Sequence, residues 1–366
     1  MRVEERLARR GGLVELLRPI AAVYGAVVTL HGKLHDRRIL PHARVEAPVV
    51  SVGNLTVGGT GKTPMVVHIA RELARRELRV GVLSRGYSRD GAPQSGAAPK
   101  LNDEGRLLAQ LLPGVPQVQR ADRISGGREL IERGCDVIVL DDGFQHRRLE
   151  RDLDLVLVDA TRPWGLAAEE GSEAVKSILP RGLLRERPSA LGRADALVLT
   201  RCDQVSKEEL AKLEAALEKD ALGVPRLLAE HRPARLVKVG SRAAESLDSL
   251  QGAEVQLLSA IGNPAAFQSS VEALGARVLA HYIQPDHHEW TAADLAAVHE
   301  NSSRVITTAK DAVKLEALGS ATANFEVLEI ELAITRGEPV LTALLDRLPE
   351  SKASRERRNL HEGLHG

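Results

Sequence analysis

The chain has 366 residues, with 50 Lys+Arg against 50 Asp+Glu, 43% hydrophobic residues and 2% aromatics. At roughly 100–200 residues per domain that length allows about two domains, and the apolar content excludes a wholly disordered chain. Zero net charge gives no bulk reason to expect a nucleic-acid binder, and two cysteines, Cys135 and Cys202, exclude a disulfide framework or a four-thiolate zinc site and read as buried thiols in a reducing compartment.

No secretory signal is read at the start, where Arg and Glu alternate through Met1–Arg10. Leu13–Leu30 is the most apolar stretch of the first fifty residues, but Glu15 and Arg18 interrupt it, and the unbroken part, Pro19–Leu30, has 12 residues. A spanning helix needs about 20, so residues 1–38 are expected to form an interfacial helix region instead. Those residues carry 8 positive and 4 negative charges, which suits attraction to anionic lipid. A helix packed on its own domain fits the same pattern about as well.

From Ala47 onward, short apolar runs alternate with helical patterns. Strands are expected at Pro48–Val52, Arg79–Ser84, Val137–Leu140, Leu155–Val158, Ala196–Thr200 and Arg226–Ala229, with helices at Pro64–Arg76, Glu104–Leu112 and Lys207–Leu217. Continuous apolar strands between helices predict βαβ units: a mostly parallel sheet with helices on both faces. A second series has strands at Glu254–Ala260, Arg277–His281, Arg304–Thr308 and Phe325–Glu329, with helices at Pro264–Leu274 and Thr291–His299. The expected division is therefore 39–231 for a nucleotide-type α/β domain, 232–349 for a smaller α/β domain and 350–366 for a disordered tail. The stretch Glu230–Val239 would be the linker strand. Ser88–Lys100, rich in Gly, Pro and Ala, reads as a surface loop. His31, His35, His361 and His365 show no metal-ligand spacing and read as solvated.

The strongest local signal is Val49–Thr63, VVSVGNLTVGGTGKT. Glycines at 58, 59 and 61 let backbone N–H groups turn inward around phosphate oxygens, and the following helix N-terminus favours negative charge. Lys62 would reach the β- and γ-phosphates, and the Thr63 hydroxyl would ligate Mg²⁺. The strict pattern G-x-x-x-x-G-K-[ST] wants Gly where Thr56 stands. The loop's expected partner is an acid at the end of a buried strand; Cys135–Gly143 (CDVIVLDDG) supplies Asp141 and Asp142. Were the strand to continue, these carboxylates would point to opposite faces. TRCD at Thr200–Asp203 faintly resembles a guanine-reading Thr-Lys-x-Asp, so a nucleotide switch acting on a partner, or a kinase for another acceptor, stays as the alternative.

Taken together, VGNLTVGGTGKTP (Val52–Pro64), SRGY (Ser84–Tyr87), DDGFQH (Asp141–His146), LPRGLLRE (Leu179–Glu186), AIGNP (Ala260–Pro264), PDH (Pro285–His287) and TTAKDAVK (Thr307–Lys314) resemble the tetraacyldisaccharide 4′-kinase family, the lipid A 4′-kinases of Gram-negative bacteria. The resemblance runs from about Pro48 to Leu315. It implies a P-loop fold and ATP- and Mg²⁺-dependent transfer to the 4′-hydroxyl of a tetraacylated glucosamine disaccharide 1-phosphate, giving lipid IV-A. It also implies a peripheral enzyme on the cytoplasmic face of the inner membrane, with no nucleic acid and no obligate protein partner.

By that resemblance, Thr56, Val57, Gly58, Gly59, Thr60, Gly61, Lys62 and Thr63 would hold the nucleotide, and Thr63, Asp142 and Asp141 the metal. Asp103 of NDEG (Asn102–Gly105) would be the base with His287 its partner, although Asn102 and Gly105 replace the family's Gly and Pro. A helix-capping role for Asp103 is the bland alternative, as a plain surface histidine is for His287, and His288 beside it reads as a surface histidine. Asn54, Tyr87, Arg123, Gln145, His146, Arg185 and Glu186 would contact nucleotide or substrate, unless Arg185 and Glu186 form only a local ion pair. Ala309 stands where the family usually has Glu.

Overall fold

The structure, a computed structural model, describes residues 3–8, 11–86, 101–166, 174–286, 288–299 and 304–349. Tyr87, His287, the stretch Ser88–Lys100 and the tail 350–366 lie outside the described residues.

The strands are β1 (Val49–Asn54), β2 (Val80–Ser84), β3 (Gln117–Gln119), β4 (Val137–Asp141), β5 (Leu153–Asp159), β6 (Ala196–Thr200), β7 (Arg226–Lys238), β8 (Ala244–Glu245), β9 (Glu254–Ser259), β10 (Arg277–Ile283), β11 (Arg304–Thr308) and β12 (Glu326–Arg336). The α-helices are α1 (Val3–Ala8), α2 (Arg18–Asp36), α3 (Lys62–Arg75), α4 (Asp103–Leu111), α5 (Arg123–Glu132), α6 (Lys207–Asp220), α7 (Pro264–Ala273), α8 (Ala292–His299), α9 (Ala309–Leu315) and α10 (Glu338–Asp346). All the strands join one sheet, ordered β10-β9-β11-β12-β7-β6-β5-β1-β4-β2-β3, with β8 on β7.

Two parallel blocks make up this sheet. From β3 to β7 every neighbouring pair is parallel, and so is every pair from β10 to β12. They are joined by the antiparallel pair β7·β12, in register from Lys238↔Glu326 to Leu228↔Arg336. Alternate residues of the buried strands feed opposite layers, as the pleat requires. Val137 and Val139 of β4 pack with Met65, Ile69 and Leu73 of α3 on one side, while Ile138 and Leu140 pack with Leu130 of α5 on the other. This is the mostly parallel α/β sheet, covered on both faces, that the continuous apolar strands predict.

The region expected to be a linker strand is the middle of β7. Leu227, Leu228 and Ala229 are buried in the first block and Leu236 and Val237 in the second, but Arg232, Ala234 and Arg235 between them are exposed. β12 carries the chain back, and α10 then inserts Leu341 and Leu345 among the α3-side core residues of the first block. The chain thus crosses the waist twice, so the two halves are tied by a two-stranded ribbon.

At the N-terminus, a helical run extends over Gly12–Asp36, 25 residues with a mean hydropathy of 1.7 over its best window. Glu15 and Arg18 do not break the helix, so by length and composition it is long and apolar enough to cross a membrane, contrary to the count based on Pro19–Leu30. Ala21 and Gly25 are buried against the first block, with Ile178 packed on Gly25. Leu13, Leu16, Ile20, Val23, Val27 and Leu30 are exposed at alternating three- and four-residue spacing. That is one continuous aliphatic stripe facing away from the protein. His35, expected to be solvated, is instead buried, its ring packed edge-on against those of His31 and His42. Cys135 is buried as expected, whereas Cys202 is half-buried.

Candidate active site

The carboxyl end of β1 runs into the glycine-rich loop, and α3 starts at Lys62, two residues earlier than the expected Pro64. Pro64 therefore sits third in the first turn, where its missing N–H is still one that the helix leaves unpaired. Gly61 caps the helix in the left-handed region at φ 89°, and a Cβ there would stand 2.5 Å from His231 Nε2. Both backbone sign and space require glycine. The loop is braced from below. Asn54 Nδ2 donates to Thr60 Oγ1 at 3.0 Å, Thr200 Oγ1 donates to the Thr60 carbonyl at 3.0 Å, and Val57 N donates to the Leu183 carbonyl at 2.8 Å. Thr56 pairs with Leu184. Asn54 is fully buried and supports the loop, while Val57 through Thr63 line a cleft of about 1360 Å³.

β4 ends at Asp141, and Asp142 turns into the left-handed region at φ 54°. The strand does not continue, so strand alternation does not separate the two carboxylates. Asp142 lines the cleft, its carboxylate 3.4 Å from Lys62 Nζ and 2.8 Å from Arg185 Nη1. Burial raises its pKa, but Lys62 and Arg185 outweigh that and hold it below the usual carboxylate range. Asp141 lies beneath, 5% exposed, with its Oδ1 buried and unpartnered. Burial first, then Glu104 and Asp142, push it up to about 7 against the pull of Lys62. An orphaned carboxylate oxygen next to a second carboxylate that lines the cleft with Thr63 makes a set of hard oxygen donors of the kind that suits Mg²⁺. Among the described residues no group of three His, Cys, Asp or Glu side chains is placed to hold a metal.

Asp103 opens α4 on the facing wall of the same cleft. The helix cap is not Asp103 but Asn102, whose Oδ1 accepts from Gly105 N at 2.9 Å. Gln119 grips Asn102 in turn, accepting from its N–H at 2.9 Å and donating to its Oδ1 at 2.7 Å. A Cβ on Gly105 would stand 2.5 Å from Gln119 Nε2, so the departures at 102 and 105 form one local solution. Asp103 is left free of capping. It meets Arg106 on its own helix and Lys314 from α9. His288 is half-buried rather than a bare surface residue: its Nε2 lies 3.1 Å from Asp294 Oδ2 and its ring packs edge-on against Trp290.

The remaining sequence candidates cluster unevenly. Gln145 Nε2 donates to the Asn54 carbonyl at 3.0 Å and to Glu186 at 3.2 Å, and its Oε1 accepts from Arg185 at 3.2 Å. Arg185 and Glu186 are not a pair: Arg185 holds Asp142, and Glu186 accepts from Arg193 at 3.0 Å. Arg123 and His146 stand behind this group, outside the cleft. Arg123 is 3% exposed and donates to the Arg120 carbonyl. His146 is pushed down to about 4 by burial first and then by Arg123, Arg151 and Arg148.

Reasoning from sequence missed the residues that join the loop to the other half of the molecule. Asp159, at the end of β5, accepts from Arg201 and, at 3.0 Å, from Asn263 Nδ2. Arg201 also donates to the Gly59 carbonyl at 3.1 Å, and Arg162 donates to the Gly262 carbonyl at 3.3 Å. TRCD thus braces the phosphate loop with its arginine. AIGNP and TRCD were visible as strings, but nothing local says that their side chains meet at Asp159.

The family described as Tetraacyldisaccharide-1-P 4′-kinase matches residues 13–349. The chain is 42% identical over 341 residues, 88% of each chain, to the Tetraacyldisaccharide 4′-kinase of Anaeromyxobacter dehalogenans (strain 2CP-C). It is 36% identical to that of Syntrophus aciditrophicus (strain SB), covering 87% of this chain and 89% of the relative. The fold is similar to a crystal structure of LpxK from Aquifex aeolicus in complex with ATP, with a TM-score of 0.68 and 29% identity over 92% of this chain and 99% of that one. A phosphate loop facing an acidic helix start across one cleft, on a sheet of this topology, accords with those matches: the chain belongs to the tetraacyldisaccharide 4′-kinase family.

Proposed function

We propose that this cleft transfers the γ-phosphoryl group of ATP to the 4′-hydroxyl of a tetraacylated glucosamine disaccharide 1-phosphate, giving lipid IV-A for lipid A synthesis. The observation that carries the reading is that Lys62, Asp142 and Asp103 line one cleft. The loop N–H groups and Lys62 would bind the phosphates and stabilise charge on the transferring group. Asp103 would orient the sugar hydroxyl and take its proton as the O–P bond forms, with His287 beside it. Thr63, Asp142 and Asp141 would hold Mg²⁺, which when bound neutralises phosphate charge. The antiparallel β7·β12 ribbon between the two parallel blocks supports a cleft that excludes water when the blocks close on each other.

The aliphatic stripe along the helical run Gly12–Asp36 supports a helix lying on the cytoplasmic face of the inner membrane, where the acyl chains of the substrate stay in lipid. Of the helix's apolar window only 11% is buried in the protein.

The test is transfer of ³²P from γ-labelled ATP to tetraacyldisaccharide 1-phosphate in detergent micelles, beside Lys62→Ala and with Mg²⁺ chelated. Labelled lipid that disappears in both controls is the expected result. ATP or GTP hydrolysis without labelled lipid would remove the acceptor and leave a nucleotide switch. Val23→Glu should weaken flotation with anionic vesicles while leaving turnover in micelles intact; unchanged flotation would sink the membrane reading.

A further inference from the structure

The wall opposite the phosphate loop is assembled by two lysines one helical turn apart. Lys310 and Lys314 lie on one face of α9, which meets the first turn of α4, where Asp103 and Glu104 are consecutive. Lys310 Nζ is 2.8 Å from Asp286 Oδ1 and 3.7 Å from Glu104 Oε1. Lys314 Nζ is 3.4 Å from Asp103 Oδ2 and donates to the His288 carbonyl at 2.8 Å. Each lysine therefore touches one of the successive acids, and Lys310 also meets Asp286 while Lys314 meets the His288 carbonyl.

The two differ in exposure. Lys310 lines the cleft, whereas the Lys314 side chain is 1% exposed and does not. A buried ammonium is costly unless it is paired and hydrogen-bonded, and Lys314 has both kinds of partner. It cannot reach substrate, but it touches the group read here as the base.

We propose that Lys314 is a positioning residue for phosphoryl transfer, a buried ammonium that ties the Asp103 carboxylate to the backbone carbonyl of His288. The inference rests on the reading of Asp103 as base. The carboxylate has two partners of different kind. Arg106 comes from the same helix and is 46% exposed, so its contact to Oδ1 persists whether or not the halves are apposed. Lys314 comes from the other half and reaches Oδ2 only when α9 lies against α4. The orientation of the base is thereby made conditional on the assembly of the wall.

Electrostatics agree with the geometry. Burial raises the Asp103 pKa, but Arg106 and Lys314 outweigh it and hold the carboxyl below its usual range. The charged groups around it are Arg106 and Glu104 on α4, Lys310, Asp311 and Lys314 on α9, and Asp286 on the turn. Of these, Arg106 and Lys314 make the direct contacts. Removing the Lys314 charge leaves Arg106 alone, so the carboxyl must titrate at higher pH.

The experiment uses the full chain in micelles with the lipid acceptor, comparing Lys314→Met, Lys314→Arg, Asp103→Asn and the double variant. Lys314→Met should lower kcat about tenfold or more, with KM for ATP within about twofold. The acid limb of its kcat profile should move up by about half a pH unit or more. Lys314→Arg should recover most of the rate, and the double variant should be no slower than Asp103→Asn alone. A wild-type rate and profile in Lys314→Met overturns the inference. So does an equal loss in the Met and Arg variants with the acid limb unmoved, which is the mark of a packing role. If Lys314→Met does not fold by thermal melting, Lys314→Gln is read by the same criteria. A wild-type kcat in Asp103→Asn would instead remove the base reading, and the inference with it. An inactive Asp103→Asn beside an unaffected Lys314→Met would remove only the inference.

Discussion

The two walls of the cleft are built in opposite ways. The phosphate loop is local: Val57 to Thr63 line it consecutively, and backbone geometry at Gly58 and Gly61 shapes it. Asp103, Asp286 and Lys310, with Lys314 buried behind them, span more than half the chain and are brought together by side-chain contacts. A backbone cradle tolerates little change at any position but depends on few distant ones. A side-chain wall can be dismantled from far away.

That contrast can be tested at four places. The largest effect is expected on the assembled wall: Asp103→Asn should lower kcat by about 10²–10⁴ while leaving the melting temperature within a degree or two of wild type. A loss confined to KM for ATP would move Asp103 from the chemistry to nucleotide binding. Next comes the buried brace beneath the phosphate loop. Arg201→Leu leaves Asp159, 4% exposed at its side chain, without its countercharge beside the loop it supports. The expected loss is about 3 kcal/mol or more of stability, read by denaturant unfolding, with weaker ATP binding alongside. Unchanged stability would mean that the pair is replaceable by water. Within the loop itself, Gly61→Ala forces an L-residue into φ 89° against His231. A rise of about tenfold in KM for ATP is expected, and an unchanged KM would show that the loop relaxes away from His231.

The smallest effect is on pH. His146 is held near 4 in the folded chain, against 6.5 as its ordinary value. Between those limits the unfolded chain binds the extra proton, so this residue makes stability fall as the pH drops from about 6.5 towards about 4 and leaves it flat above. His146→Gln should reduce the drop in melting temperature between about pH 7 and about pH 5. An identical drop in both proteins would locate the dependence in other groups.

The particular elements show why some of this was legible beforehand. β1, β4, β5 and β6 are continuous apolar runs buried on both sides, and such runs betray themselves without any knowledge of their partners. β3 has three residues, and β12 runs eleven with its second half partly exposed. β3 is not among the expected strands, and of β12 only the first part, Phe325–Glu329, is expected, because the partly exposed remainder is held by its antiparallel pairing with β7. At the site, Lys62 and Asp142 stand in short strings with a fixed physical task. Arg201, Asn263 and Lys314 were present in quoted strings, yet their meaning lies in what they touch. Asp103 shows the limit from the other side: a residue at a helix start reads as a cap until Asn102 is seen to do the capping.

By itself the sequence determined the parallel α/β character, the phosphate loop and the acidic strand end, because periodicity, glycine content and residue order act over a few neighbouring residues. Only the tertiary structure decided that β7 and β12 join two parallel blocks into one sheet, that α10 returns to the first core, and that a buried lysine faces Asp103. Those outcomes depend on which distant surfaces bury one another, a quantity that no local pattern of residues contains.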